Sequence, residues 1–204
     1  MNKIILIVKK MLPLFLVQFF TWLALFSLWI YSTPVITKYF YNTVAAESEG
    51  FEKGIQWVGI CFAFYSLLGA ILAFFIPKLL KKITKYRLHS MALLAGSAGL
   101  ISIYFIRQPY MLLLSFAFIG IAWSSISNIP YLIIGDMVPD KESSMYYSIF
   151  NFSVVIPQVT AAFLLAWLTK TFFHAETIYA ILTGGVSMLI AGLLMLAISF
   201  VLKS

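Results

Sequence analysis

Amide and aromatic side chains recur at helical spacing inside otherwise apolar stretches of this sequence. The stretch YYSIFNFSVVIPQV, residues 146–159, places Tyr147, Asn151 and Gln158 four and seven residues apart, so they share one face of a helix. The same kind of row is formed by Gln18, Trp22 and Trp29 and by Ser124, Asn128 and Tyr131.

These side chains suit recognition of a neutral ligand that carries hydroxyl groups. Amides both donate and accept hydrogen bonds, and Trp and Tyr rings offer flat faces to the C–H surfaces of a sugar. An ion or a charged metabolite fits less well, because no Asp, Glu, Lys or Arg lies in the middle of these stretches. The alternative is that the amides and hydroxyls only hold helices to one another, as polar residues in membrane helices often do.

Two prolines fall within the helices that carry these rows. Pro130 and Pro157 lack a backbone N–H, and each frees the carbonyl four residues earlier, at Ile126 and Ser153. We expect each proline to give either a hinge with an additional acceptor or a kink whose backbone groups are satisfied by neighbouring helices.

The elements that carry these rows are predicted to cross a membrane. Of the 204 residues, 62% are hydrophobic and 10% are charged, and the apolar residues come in long runs. Soluble domains have about a quarter of their residues charged, whereas a bilayer span needs roughly 20 mostly apolar residues. Six spans are predicted, at residues 11–34, 54–77, 88–106, 110–135, 144–168 and 178–202. The sequence therefore predicts an all-α, polytopic membrane protein in which residues 1–204 form a single six-helix bundle.

The six spans divide into two sets of three. Because three is odd, the second set enters the membrane in the opposite orientation, as in the inverted repeats of several transporter folds. The third and sixth spans contain LLAGSAGLIS and LTGGVSMLIAGLL, whose small residues let helices pack closely in lipid.

Basic residues are concentrated on one side of the predicted spans. Three lysines precede the first span, and the loop PKLLKKITKYR, residues 77–87, carries five basic residues between the second and third spans. By the positive-inside rule this side is cytoplasmic, so we expect both termini in the cytoplasm and the protein in the plasma membrane. The net charge of +7 then reflects topology, and no nucleic-acid partner is expected.

Sequence patterns for catalysis or metal binding do not fit this chain. IIGDM has one aspartate where an intramembrane aspartyl protease needs two, AGSAG does not fit the rhomboid GxSG pattern, and there is no HExxH. His89 and His174 pair with no obvious nucleophile, and the lone Cys61 is interpreted as a packing residue. We therefore predict no enzymatic activity, no metal and no cofactor.

Three stretches carry a resemblance to a known family. VQFFTWLALFSLWIYSTP (residues 17–34), GIAWSSISNIPY (120–131) and IFNFSVVIPQ (149–158) resemble the C-terminal half of a major facilitator superfamily transporter, in particular its sucrose–proton symporter-like branch. In that family the seventh and tenth helices line a cavity and the ninth and twelfth face lipid, which implies the same roles for the first, fourth, third and sixth spans here. The resemblance implies transport of a sucrose- or maltose-like glycoside by alternating access, coupling to protons, and a substrate-binding role for the three rows.

The basic loop occupies the place of this family's cytoplasmic gating motif, although the usual Gly and Asp are missing. By this resemblance we expect Lys85 or Arg87 to pair with Asp136 or Glu142 when the cytoplasmic side is closed. The alternative is that these charges are solvated and only set the topology.

A transporter of this family has about twelve spans, and six are predicted here. The resemblance therefore implies a partner, either an N-terminal six-helix half, which is expected to hold the proton-binding carboxylate, or a second copy of the chain. The alternative is a membrane subunit or an incomplete fragment with no transport activity of its own.

Overall fold

The computed structural model describes residues 3–138 and 143–201, and the regular elements in these ranges are helical. They are α1 (Lys3–Phe40), α2 (Glu49–Ala73), α3 (Ile76–Leu80), α4 (Lys85–Phe105), a 3-10 turn (Pro109–Met111), α5 (Leu112–Ile126), α6 (Ile129–Met137), α7 (Ser143–Thr171) and α8 (Ile178–Val201). Within these ranges, six segments are long and apolar enough to span a membrane, and each overlaps one of the six predicted spans. The predicted all-α membrane fold is thus confirmed.

The loops lie at two opposite ends of the bundle. Residues 78–87, between α2 and α4, define the basic end, where α6 also terminates. Residues 41–48, 106–111 and 172–177 define the far end. Side-chain caps start a helix at each end, because Ser48 accepts from the Phe51 N–H at 3.2 Å and Thr84 from the Arg87 N–H at 3.4 Å.

The fourth predicted span is broken into two helices. α5 ends at Ile126 and α6 begins at Ile129, with Pro130 in the first turn of α6. Asn128, between them, has non-helical angles of φ −124° and ψ −54°. α7, by contrast, continues through Pro157. The break expected at Pro130 is therefore observed, and at Pro157 the helix is continuous.

Small residues let α4 and α8 pack closely, as their sequences predict. The Ser90 hydroxyl donates to the Gly192 carbonyl and the Ser97 hydroxyl donates to the Gly185 carbonyl, each at 2.8 Å. The two bonds lie two helical turns apart on antiparallel helices. They place α4 and α8 at the centre of the bundle.

The packing of the helices reveals two inverted repeats. α1 packs against α7 and α8, and α5 packs against α2 and α4. If α1 is exchanged with α5, α2 with α7 and α4 with α8, each of these contacting pairs becomes another contacting pair. The α4–α8 pair is left unchanged. The chain therefore consists of an α1–α2–α4 repeat and an α5/α6–α7–α8 repeat of opposite orientation.

The two flanking helices are the most exposed. In the most apolar windows of α2 and α7, 17% and 28% of the residues are buried, against 50% and 44% in α4 and α8. The expectation that the third and sixth spans face lipid therefore describes only the outer faces of α4 and α8.

Gly96 tests the close packing at the centre. A Cβ there would overlap the Cβ of Ala122 and lie 2.7 Å from the Met188 sulfur. We expect Gly96→Ala to lower the free energy of unfolding by about 1–3 kcal/mol, because the interhelical contact has no room for a methyl group.

The matched control is Gly59→Ala on the exposed face of α2, where an added Cβ meets nothing within 4 Å. It should be neutral or stabilising by about 1 kcal/mol, because Ala favours helix more than Gly. Thermal unfolding of the purified chain in detergent compares the two. Equal stability of both variants contradicts the packing at Gly96.

Candidate functional site

Four aromatic side chains from three helices meet inside the bundle, and we call them the aromatic cluster: Trp22 and Trp29 of α1, Tyr65 of α2 and Trp123 of α5. The ring centroid of Trp29 lies 6.1 Å from that of Trp22 and 6.1 Å from that of Trp123. The indole N–H of Trp29 donates to the Tyr65 hydroxyl at 3.3 Å, and the Tyr65 and Trp123 rings are 6.2 Å apart. The aromatic cluster thus brings side chains of α1 together with α5, its counterpart in the other repeat.

Two members of the aromatic cluster were not in the predicted rows. Tyr65 and Trp123 pair with residues on other helices, and such pairs leave no spacing signal within one helix. Trp123 packs over Gly69 of α2, where an added Cβ would lie 2.8 Å from the indole Cδ1. Gly69 therefore leaves the room that the indole fills.

Gln18 and Trp22 carry the unusual polar feature of this region. The Gln18 side chain is 1% exposed, and its Oε1 is buried with no hydrogen-bond partner among the described residues. The indole Nε1–H of Trp22, one turn further along α1, is also buried and unpartnered. An unpaired buried acceptor and donor cost about 1–3 kcal/mol each, so a molecule that bonds to both removes a large penalty.

The row Ser124, Asn128 and Tyr131 follows the break between α5 and α6. The Asn128 amide donates to the Ser124 carbonyl at 2.8 Å, and the Ser124 hydroxyl donates to the Ile121 carbonyl at 2.7 Å. Both groups therefore satisfy the end of α5 directly. Tyr131 is 42% exposed and its ring stacks on that of Tyr147, with centroids 6.5 Å apart.

The row on α7 does not converge with Gln18. Tyr147 contacts Tyr131, but Asn151 is exposed and Gln158 is half-buried. Among the hydrogen bonds of the described residues, none joins Asn151 or Gln158 to α1 or α5. The three predicted rows thus form two groups, one around the aromatic cluster and one at the Tyr131–Tyr147 stack.

The basic end holds an ion pair between two of the predicted gate residues. The Lys85 ammonium contacts the Asp136 carboxylate and lies 3.4 Å from the Leu132 carbonyl. The Arg87 guanidinium instead lies over the Phe200 ring, 5.7 Å from its centroid. Glu142 lies outside the described residues. The contact therefore links the first turn of α4 to the end of α6.

His89 is buried, although it stands only two residues after the basic loop, where a solvated side chain would be expected. Its side chain is 0% exposed, and Nδ1 lies 2.7 Å from the Ser125 hydroxyl next to the α5–α6 break. Its Nε2 has no partner among the described residues. The imidazole joins α4 to α5, a partnership that the spacing of residues within α4 does not reveal.

The far end is joined by a contact between α1 and the loop before α8. The Lys38 ammonium lies 2.8 Å from a Glu176 carboxylate oxygen, and the Tyr39 hydroxyl donates to the same oxygen. The hydrogen bond from Lys38, followed by that from Tyr39, lowers the pKa of Glu176 below its usual range. This far-end contact draws together two elements of different repeats.

In the described residues, six helical segments can span a membrane, the repeats are inverted, and polar groups are enclosed near the point where the repeats meet, an arrangement found in several families of membrane proteins. Residues 14–203 match the family model of the Major Facilitator Superfamily. The chain therefore belongs to this superfamily.

The fold is also similar to a solved transporter. A crystal structure of the peptide transporter POT in complex with alafosfalin matches with a TM-score of 0.66 and 16% sequence identity. The match covers 93% of this chain and 38% of that transporter chain, so this chain spans well under half of its length. No curated protein matches the sequence.

Acid should weaken the far-end contact. Because the pKa of Glu176 is lowered in the folded protein, the contact stabilises the fold above the unfolded-state pKa and is lost as pH falls through the folded-state pKa. We expect thermal stability to fall more steeply between about pH 5 and about pH 3 in the natural chain than in Glu176→Gln.

Salt provides the control for this prediction, since an exposed ion pair is screened at about 1 M ionic strength. The difference between the two pH profiles should shrink there. Superimposable profiles at low salt contradict a contribution from Glu176.

Proposed function

We propose that the chain is the C-terminal half of a transporter for a sugar or glycoside of the sucrose or maltose type, coupled to protons and working by alternating access. Both termini lie in the cytoplasm, and the protein resides in the plasma membrane. The observation that carries this proposal is the unpartnered Gln18 Oε1 and Trp22 Nε1 beside the aromatic cluster. Sugar hydroxyls both donate and accept, so a sugar offers a partner for each of these two kinds of atom.

The charge distribution favours a neutral substrate. Among the described residues, the buried polar side chains are Gln, Ser, Thr and one His, and no Asp, Glu, Lys or Arg is buried. A charged substrate held inside this half would lack a counter-charge from it, and burial of an unpaired charge is costly. The rings of Trp22, Trp29 and Trp123 supply stacking surfaces for the C–H faces of a pyranose.

The second half of the transport path comes from a partner. The outward faces of α2 and α7 are apolar and exposed, with Leu67 62% and Phe163 74% exposed. Asn151 and Gln158 lie on α7, so in this proposal they meet the substrate from the side that the partner closes. The partner is an N-terminal six-helix half, and a second copy of the chain is the alternative.

The other candidate function is that of a membrane subunit that assembles with a partner but does not transport a substrate itself. The favouring observation is the same exposure of α2 and α7, which leaves room for a partner on these faces whether or not transport occurs. An immunoblot of source membranes with an antibody against the natural chain measures the mass of the polypeptide and so distinguishes the two kinds of assembly. A band near 23.0 kDa indicates a separate half, and one of about twice that mass indicates a continuous transporter.

Gln18→Leu tests the binding role. It removes a buried unpartnered acceptor, so the variant should be at least as thermally stable as the natural protein. If Gln18 binds substrate, uptake of labelled sucrose or maltose by cells making the full-length gene product should fall by about tenfold or more, since 1.4 kcal/mol of lost binding is tenfold.

The control is Gln56→Leu, the same change at an exposed position of α2, which should leave uptake and membrane level unchanged. Unchanged uptake in Gln18→Leu removes Gln18 from the site. A collapse of its membrane level supports a role in holding helices together. Asn151→Leu, measured in the same way, reports whether the exposed face of α7 takes part.

Charge reversal tests a gate at the basic end. In the proposed cycle the Lys85–Asp136 ion pair holds α4 and α6 together while the cytoplasmic side is closed. Asp136→Lys places two cations together and should slow uptake, whereas Lys85→Asp combined with Asp136→Lys should restore most of it.

Reversal at an exposed pair is the matched control. Lys53 and Glu49 lie 2.6 Å apart on the surface of α2, with side chains 59% and 81% exposed, and such pairs contribute little. Lys53→Glu should not affect uptake. If Asp136→Lys also leaves uptake unchanged, the charges of Lys85 and Asp136 only set the topology.

A further inference from the structure

A groove lies between α4 and α5 and ends at the far end of the bundle. Its cavity volume is about 570 Å³. The apolar walls are formed chiefly by Ala98, Phe105, Met111, Leu114 and Phe118, and Arg107 stands at the mouth. The groove is thus apolar along its length and cationic at one end.

The groove opens sideways, away from the bundle. Phe105 is 69% exposed and Leu114 is 60% exposed, so the walls face the surroundings of the membrane span. The polar Ser102 in the wall is already satisfied, because its hydroxyl bonds to the Gly99 carbonyl and the Ser115 hydroxyl, each at 2.7 Å. The occupant therefore needs no polar group along the walls.

The groove is short enough to lie within one leaflet. From Ala98 to Phe105 and from Met111 to Phe118 each wall runs seven residues, or about 10 Å of helix. A leaflet is about 15 Å of hydrocarbon, half of the bilayer core. A helix, about 10–12 Å across with its side chains, is too thick for this volume, whereas a single acyl chain is thin enough.

Arg107 supplies the polar end of the site. Its Nη1 donates to the carbonyls of Tyr104 at 2.9 Å and Ile106 at 3.2 Å, which fixes the guanidinium beyond the end of α4. No carboxylate of the described residues forms an ion pair with it. Nη2 and Nε form no hydrogen bond with the described residues, and a guanidinium binds phosphate oxygens in pairs.

The other repeat builds a similar groove at the opposite end. The cavity between α1 and α8 has a volume of about 450 Å³, and Leu194, Ile198 and Val201 of α8 line it. These occupy the same spacing on α8 as Ala98, Ser102 and Phe105 on α4. The bundle thus has one apolar groove towards each of its ends, and Arg107 stands at the mouth of the α4–α5 groove.

We propose that the α4–α5 groove holds an acyl chain of an anionic phospholipid whose phosphate is bound by Arg107. An apolar groove gains little from a lipid tail, because the surrounding lipid is equally apolar. Selectivity therefore comes from the charge-assisted bonds of the headgroup, and the site distinguishes lipids by headgroup charge.

Native mass spectrometry of the purified full chain tests this site with two lipids of identical tails, phosphatidylglycerol and phosphatidylcholine. The natural chain should retain phosphatidylglycerol preferentially, and Arg107→Gln should reduce that preference by about tenfold, as expected for loss of hydrogen bonds to a charged group. Lys170→Gln, which removes an exposed charge on α7 away from the groove, is the matched control and should change nothing.

A second variant tests the apolar part separately. Leu114→Trp fills the groove at an exposed position and should release the lipid while Arg107 is intact. Equal retention of both lipids by the natural chain, or full retention by Arg107→Gln, overturns the proposal and leaves Arg107 as a cap of α4. If Leu114→Trp alters self-association of the chain and not lipid retention, the groove is a contact between copies. None of these outcomes depends on transport activity.

Discussion

The close contact between α4 and α8 organises the rest of the bundle. In lipid there is little hydrophobic drive for helices to associate, so contact depends on shape and on interhelical hydrogen bonds. Gly185 and Gly192 let α4 approach, and the hydroxyls of Ser90 and Ser97 then reach their carbonyls at 2.8 Å. α1 packs on α8 and α5 packs on α4, so the positions of α1 and α5, which carry Trp22, Trp29 and Trp123 of the aromatic cluster, follow from this central pair.

The same arrangement explains why polar residues have such different environments. Ser and Thr hydroxyls mostly return to carbonyls of their own helix, as Thr21 does to Val17 at 2.8 Å. The Asn128 side-chain amide donates to the Ser124 carbonyl at the end of α5, which the break leaves available. Gln18 Oε1 and Trp22 Nε1 are buried and have no such partner among the described residues.

Sequence reasoning located the spans well, because bilayer thickness imposes an apolar length that any run of residues displays. It also anticipated the break at Pro130 and the Lys85–Asp136 pair. It could not identify Trp123 or the His89–Ser125 pair, because those contacts depend on how separate helices rotate against one another. Aromatic residues are also abundant along this chain, 17% of the total, so helical spacing alone selects too many of them. The exposure of Asn151 could not be predicted either, because the spacing of polar residues along one helix does not show which neighbouring helix they face.

The break between α5 and α6 gives the two repeats different mechanical stiffness. Its counterpart, α1, is one continuous helix of 38 residues, whereas α6 is a nine-residue segment attached through Ser127 and Asn128. Asp136 lies about 12 Å along α6 from that joint, so a rotation of about ten degrees there would displace it by about 2 Å. That displacement is comparable to the reach of an ion pair. The two repeats therefore differ in how their first helix can move: α1 is one continuous helix, whereas α6 can rotate relative to α5 about Ser127 and Asn128.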